Sequence, residues 1–234
     1  AAAAAAIMTT DTRPKSAVVQ GRIGGKLVTV AGIAKGAGMI APSLATMLSF
    51  ITTDAALRPA ALGGALKAAV EPTFNAVTID SDTSTSDTVI VMASGAAGNA
   101  AIAGGADLAK FARLLTEVCA ALAEMIARDG EGATKLLRVT VRGARTDADA
   151  RTAAKAIANS PLMKCAVHGG DPNWGRVLMA AGKSGAAVDQ DRATCKIGPV
   201  TVMRRGTSCP YDTAAAAAHM AGDTVEIDLN LALG

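Results

Sequence analysis

AVVQGRIGGKLVTVAGIAKGAGMIAPSLATMLSFITT, residues 17–53, decides how the chain is read. Residues 17–23 and 26–33 are Val-rich runs, and Gly24-Gly25 between them tolerates the positive backbone angles of a two-residue turn. That pattern predicts a β-hairpin. A glycine-rich turn follows at residues 35–38, and residues 36–53 carry no charge. An uncharged run of this length raises the question of a membrane span. Gly36, Gly38, Pro42 and several hydroxyl side chains interrupt it, and it comes straight after a strand pattern. It therefore reads as a buried turn leading into a buried element.

Outward from this stretch, strands and helices mix without strict alternation. Residues 59–74 place Leu62, Leu66, Ala69, Val70 and Phe74 at helical spacing. Residues 77–80 and 88–93 read as buried strands, with a dense polar loop at 81–87. The strongest helix pattern covers 107–128, where Leu108, Phe111, Leu115, Val118, Cys119, Leu122 and Ile126 form one stripe. Asp107 is placed to cap its start, and Gly130 lies just past its end. Leu137, Val139 and Val141 alternate with polar residues as a strand, and 147–159 reads as a helix. Residues 194–197 and 200–203 flank Gly198-Pro199 as a second hairpin, and 225–231 alternate as a strand with one wet face. The predicted class is α+β, a layered sandwich with central β-sheets flanked by helices.

Composition narrows the function. The 234 residues suffice for one or two domains. Hydrophobic residues make up 50% but aromatics only 2%, so the core must be built from Ala, Val, Ile, Leu and Met. The net charge of +3 is scattered, and few rings are available to stack on bases, which argues against nucleic-acid binding. Cys119, Cys165, Cys195 and Cys209 show no CxxC spacing, and His168 and His219 are the histidines, so neither a zinc site nor a disulfide framework is expected. A cytoplasmic setting follows, with no membrane association and no secretory signal pattern. The alanine run at residues 1–6 is set aside. With the chain stopping straight after a strand pattern, the reading expects part of a larger protein.

Familiar catalytic arrangements are missing. No G-x-S-x-G elbow is present, and Gly182-Lys183-Ser184 lacks the upstream glycine of a phosphate loop. Asp80, Asp82, Asp87 and Asp171 lack a calcium-loop pattern and read as hydrogen-bonding loop residues. Hydroxyl chemistry is left. A threonine at a chain terminus carries its own base, an α-amine with a pKa of about 7.7–8.0. An internal threonine gains that amine only when the preceding bond is cut. Ala45-Thr46 suits such a cut, with a small residue before the hydroxyl, glycines and a proline upstream, and an apolar run downstream. On spacing alone, an ordinary buried threonine is the commoner reading.

Five ordered motifs alter that balance. GIAKGAGMIAPSLATMLSFITTDA at 32–55 resembles the self-processing region of the ornithine acetyltransferases, also called bifunctional glutamate N-acetyltransferases. IMTTDTRPK at 7–15, TFNAVTIDSDTSTSDT at 73–88, DGEGATK at 129–135 and DPNWGR at 171–176 are similar to the same family in the same order. The resemblance implies self-cleavage between Ala45 and Thr46. Residues 1–45 would then be the end of an α subunit and 46–234 a β subunit that stays associated with it, in paired heterodimers. It implies that Thr46 accepts an acetyl group from N2-acetylornithine and passes it to glutamate, with no metal or other cofactor. Some members also take acetyl-CoA as donor. The family's oxyanion-hole Thr-Gly pair and a carboxy-terminal pocket segment have no counterpart in these residues.

The resemblance also assigns roles. Lys35 matches a substrate-contacting lysine, Thr9 a substrate-contacting threonine with Thr10 less firmly matched, and Glu131 a carboxylate for a substrate amine. Read without it, Lys35 is a solvated loop lysine, Thr9 part of a turn, and Asp-Gly-Glu-Gly a helix-terminating turn. Residues 80–88 read as a structural loop shaping the pocket, and 171–176 carry no assigned chemistry. Competing functions are a self-cleaving aminopeptidase or amidohydrolase, a non-catalytic subunit, and, more remotely, a nucleotide binder built on the Gly-Lys-Ser run.

Overall fold

The computed structural model describes residues 2–41 and 47–234. The chain divides into two compact units, with the boundary between Gly132 and Ala133. Ala45 and Thr46 lie outside the described residues.

The first unit begins with a short alanine helix, α1 (Ala2–Ala6), followed by strands β1 (Lys15–Ile23), β2 (Lys26–Lys35) and β3 (Leu48–Thr53). Helix α2 (Pro59–Val70), strand β4 (Thr88–Ala93) and the long helix α3 (Gly105–Arg128) complete it. Its sheet runs β1-β2-β3-β4. The predicted hairpin is present: β1 pairs antiparallel with β2 around Gly24 and Gly25, whose φ values are +55° and +76°. Such angles at both central positions are those that a tight hairpin needs and that glycine adopts without a Cβ penalty. The uncharged run does lead into a buried element, because β3 pairs antiparallel with β2 from Val30↔Thr53 to Lys35↔Leu48. Strand β4 then joins parallel to β3.

Alternation along β2 turns Val28, Val30 and Ala34 toward α3, which answers with Phe111, Leu114, Leu115, Val118, Cys119, Leu122, Ala123 and Ile126. Loss of one such side chain, as in Leu115→Ala, costs about 2–5 kcal/mol. Asp107 does not cap α3. The N-cap is Gly104, and Asp107 pairs instead with Lys110 at 3.5 Å, three positions along the same face. Helix α2 ends at Val70 rather than Phe74 and buries Ala61, Ala65 and Ala69, so its leucines sit at the margin of the core. Residues 77–80 form no strand. Ile79 donates its N–H to the Ile40 carbonyl at 2.7 Å, and one such bond between irregular segments does not make a ladder.

The second unit has β5 (Leu136–Arg142), α4 (Asp147–Asn159), α5 (Pro161–Gly169), α6 (Trp174–Gly182), β6 (Thr194–Ile197), β7 (Val200–Arg204), β8 (Thr207–Ser208), α7 (Thr213–Ala221) and β9 (Thr224–Asn230). Its sheet order is β5-β9-β6-β7-β8, with β5 and β9 parallel and the other neighbours antiparallel. The core joins Val225, Ile227 and Leu229 of β9 to Ile157, Met163 and Val177 of the helices. Helices and mixed sheets in both units make the chain α+β, as the sequence predicts. Among the described residues no helix is long and apolar enough to cross a membrane.

Candidate active site

The end of β2 and the turn after it are the centre of the candidate site. Lys35 closes β2, is buried, and stands opposite Leu48, the second residue after Thr46. Beyond it, residues on both sides of 42–46 are held by carboxylates from the polar loop. Asp80 accepts the N–H groups of Met39 at 2.6 Å and Ile40 at 3.0 Å. Asp87 accepts the N–H of Met47 at 2.8 Å, while the Met47 carbonyl takes the N–H of Thr88 at 3.0 Å. The loop therefore acts structurally, as read from the sequence, through two aspartates bonded to backbone. Burial raises the Asp87 carboxyl above its ordinary value; the Met47 N–H and the Lys35 charge pull the other way without overcoming it.

Glu131 is brought to the same turn. Its N–H donates to the Ala37 carbonyl at 2.8 Å, and its carboxylate lies over Gly38. A Cβ at Gly38 would stand 2.7 Å from the Glu131 carboxyl carbon, so glycine is what lets the carboxylate approach. The Glu131 side chain is exposed, free to meet a cation from solution. The helix-terminating turn and the carboxylate site are compatible, since α3 ends at Arg128 and the chain turns through Asp129 to Glu131.

Thr9 is exposed and reaches this region through a buried cluster that sequence reading missed. Its N–H donates to Asp11 Oδ2 at 3.2 Å. Asp11 Oδ1 accepts the Gly36 N–H at 2.7 Å, next to Lys35, and also the Lys15 ammonium. Lys15 Nζ donates in addition to Asp129 Oδ2 at 2.6 Å, and Asp129 accepts both the hydroxyl and the N–H of Thr12. Lys15 is fully buried. A lysine opening a strand reads as a solvated end in one dimension; only the fold shows the two carboxylates that make its burial tolerable. Burial alone would raise the carboxyls of Asp11 and Asp129. The Gly36 N–H, Lys15 and Thr9 outweigh it at Asp11, and Lys15 with Thr12 outweighs it at Asp129, so both carboxyls lie below their ordinary value.

Thr9, Lys35 and Glu131 thus lie on three chain segments tied to one another within the first unit. Among the described residues no group of three His, Cys, Asp or Glu side chains is arranged to hold a metal. Gly182-Lys183-Ser184 stands at the C-terminal end of α6, where the Ser184 hydroxyl donates to the Ala181 carbonyl at 2.6 Å. Phosphate binding of the P-loop type uses a helix N-terminus, so the nucleotide reading is overturned. Residues 171–176 form a helix-to-helix turn in the second unit. Asn173 donates to Asp171 at 3.0 Å and accepts the Arg176 N–H at 3.1 Å to cap α6, and Arg176 reaches the Leu162 carbonyl at 2.7 Å.

The family model described as the ArgJ family matches residues 1–234. The chain belongs to the ArgJ family. Among its curated relatives, the arginine biosynthesis bifunctional protein ArgJ of Rhizobium meliloti (strain 1021) is 53% identical over 238 residues, covering 99% of this chain and 58% of that protein. The ArgJ protein of Geobacillus kaustophilus (strain HTA426) is 48% identical over 230 residues, covering 98% of this chain and 56% of that protein. A crystal structure of the arginine biosynthesis bifunctional protein ArgJ from Bacillus halodurans superposes with a TM-score of 0.78 at 45% identity, covering 81% of this chain and 90% of that chain. The chain spans little more than half the length of the curated relatives it matches.

Proposed function

We propose that this chain is the nucleophile-bearing part of an acetyltransferase of arginine biosynthesis. In that reading it moves an acetyl group from N2-acetylornithine to glutamate through acetyl-Thr46, after self-cleavage between Ala45 and Thr46. The observation that carries the proposal is the convergence on one turn. Asp80 and Asp87 fix the backbone at Met39, Ile40 and Met47, while the segments carrying Lys35 and Glu131 meet at the same turn, with the Glu131 N–H on the Ala37 carbonyl and the Lys35 charge felt at Asp87. An amino-acid substrate carries both charges. Lys35 suits its carboxylate, and Glu131 suits its amine.

The chemistry follows from the residues. Attack of the Thr46 hydroxyl on the Ala45 carbonyl carbon breaks the C–N bond, which frees the Thr46 amine and leaves Ala45 as an ester on Oγ; water then hydrolyses that ester, giving the Ala45 carboxylate and the free Thr46 hydroxyl. That amine then takes the hydroxyl proton as Thr46 Oγ attacks the acetyl carbon of the donor. The acetyl C–N bond breaks, the proton goes to the departing ornithine amine, and the acetyl stays on Oγ as an ester. The glutamate amine attacks that ester and leaves as the N-acetyl product, returning the proton to Oγ. Acetyl-CoA serves as a further donor in this reading, and no metal takes part. The oxyanion is stabilised by groups outside these residues. Residues 1–45 and 46–234 contribute to α and β subunits assembled as paired heterodimers in the cytoplasm.

A comparison of lengths supports the two-chain organisation. Four-fifths of this chain covers nine-tenths of the crystallised Bacillus halodurans chain, whereas the whole of it covers 58% of the first curated relative. The crystallised chain is accordingly about half as long as that relative, as a subunit of a cut precursor would be. The test uses the full-length protein. Intact mass is expected to give two chains, one beginning at Thr46, and incubation with N2-acetylornithine is expected to add one acetyl group to that chain. Thr46→Ala is expected to leave the precursor uncut and unlabelled. Label on another side chain would refute the proposal, and acetate in place of N-acetylglutamate would favour a hydrolase.

A further inference from the structure

We propose that Lys15 is a positioning residue of the substrate site, setting the spacing between Thr9, Lys35 and Glu131 through two buried carboxylates; this inference rests on the function proposed above. Lys15 sits at the first residue of β1, opposite Ala34, the neighbour of Lys35, and is given no direct part in the proposed chemistry. Its ammonium joins Asp11 at 2.5 Å and Asp129 at 2.6 Å. Each partner is one short step from a substrate-facing residue. Asp11 holds the N–H of Thr9 with one oxygen and that of Gly36, next after Lys35, with the other. Asp129 is two residues before Glu131; it also accepts from Thr12 and forms an ion pair with the largely exposed Arg13 at 3.7 Å. The three segments have no covalent connection shorter than β1 and β2 or α3. Beside the Glu131 N–H bond to the Ala37 carbonyl and the Gly36 N–H bond to Asp11, one buried cation links the Thr9 and Glu131 segments.

Physical reasoning favours a positional role over a purely stabilising one. Well-packed apolar replacements for a buried ion pair are often neutral or stabilising, so such a cluster is a costly way to hold a core together. What it supplies is directionality. Lys15 can satisfy both carboxylates only when Asp11 and Asp129 approach from defined sides, and Asp11 spends both oxygens on backbone N–H groups. A greasy cluster would allow residues 9–12, 36 and 129 to slide by fractions of an ångström. Misplacement of about 1 Å is enough to lower a rate by about 100-fold.

The test uses the full-length enzyme with Lys15→Met, assayed where circular dichroism shows it folded. KM for N2-acetylornithine and for glutamate is expected to rise about tenfold or more, as expected when positioning is lost, with Thr46 still able to carry acetyl. Lys15→Arg, which keeps the charge, is expected to recover part of the loss. Hydrogen exchange at the Gly36 and Glu131 amides should quicken in Lys15→Met while amides in the middle of α3 keep their protection. If Lys15→Met does not fold, Asp129→Asn, which keeps an acceptor for Lys15, is measured in the same way. Unchanged KM values and unchanged exchange at Gly36 and Glu131 in a folded variant, with only the melting temperature lowered, would overturn the inference. If the wild type transfers no acetyl group, the proposed function fails, and the exchange comparison alone decides whether Lys15 sets the spacing.

Discussion

The carboxylate of Asp87 accepts the backbone N–H of Met47 at 2.8 Å, one residue beyond Thr46. A backbone amide so bonded cannot rotate freely, and attack by Thr46 on the carbonyl before it depends on that geometry. Leaving a partly buried N–H without its acceptor costs about 1–3 kcal/mol. Asp87→Ala is therefore expected to slow self-cleavage about tenfold, at about 1.4 kcal/mol per factor of ten. Asp87→Asn keeps an acceptor oxygen and should stay near the wild-type rate. A time course of intact mass on freshly made precursor separates the two, and identical rates for Asp87→Ala and wild type would dismiss the clasp.

Acid should act on the first unit in two opposing ways. Asp11 and Asp129 are held below their unfolded value of 3.8, so their contribution is complete above that value and is lost as pH falls through the lower folded values. Asp87 is raised above 3.8 when folded, so its contribution shrinks as pH rises from 3.8 through the folded value. Urea midpoints measured against pH should thus fall steeply below 3.8 in the wild type. In Asp87→Asn, the decline in stability on going up from 3.8 should be reduced.

Gly38→Ala offers a test of the Glu131 assignment that leaves Glu131 itself in place. The new methyl would stand 2.7 Å from the carboxyl carbon, and the exposed carboxylate must move away. The fold is expected to survive, while KM for the amine-bearing substrates rises several-fold. Gly63→Ala in α2 meets nothing within 4 Å and serves as a control. It should raise stability by about 0.5–1 kcal/mol, the usual gain on replacing a helical glycine, without touching KM.

Thiol labelling should divide the cysteines into pairs. Cys119 and Cys195 are buried, and burial pushes each thiol up to about 12, leaving almost no thiolate at neutral pH. Cys165 is exposed and Cys209 half-buried. A disulfide reagent on the native chain should modify Cys165 first and Cys209 next, with Cys119 and Cys195 reacting only on unfolding. Rapid labelling of Cys119 would contradict its place on the buried face of α3.

The hairpin at Gly24-Gly25 and the stripe of α3 were legible because a period and a turn residue are local properties. Strand β3 was readable only as something buried, since an uncharged run has no alternation to distinguish strand from turn. Residues 77–80 misled for the reverse reason: Val77 and Ile79 are apolar because they pack on the first core, without pairing as a strand. Helices α5 and α6 are short and separated by Gly170, Asp171 and Pro172, which read as loop until Ser160 and Asn173 are seen capping them. Thr9, Lys35 and Glu131 came from resemblance, and the fold places their segments together. Lys15 could not be found that way, because its meaning lies in Asp129, whose side chain reaches it across almost the whole first unit of sequence.

Strands β2 and β3 are neighbours along Val30 to Lys35 and Leu48 to Thr53, on either side of the proposed scission. Once that bond is cut, an intramolecular ladder becomes an association between two molecules. The mature enzyme would then unfold with a concentration-dependent midpoint, and dilution of the denatured pieces would oppose their reunion. Maturation in this family would act as a ratchet, in which the precursor finds its shape as one chain and the product can keep that shape but recovers it slowly when it is lost.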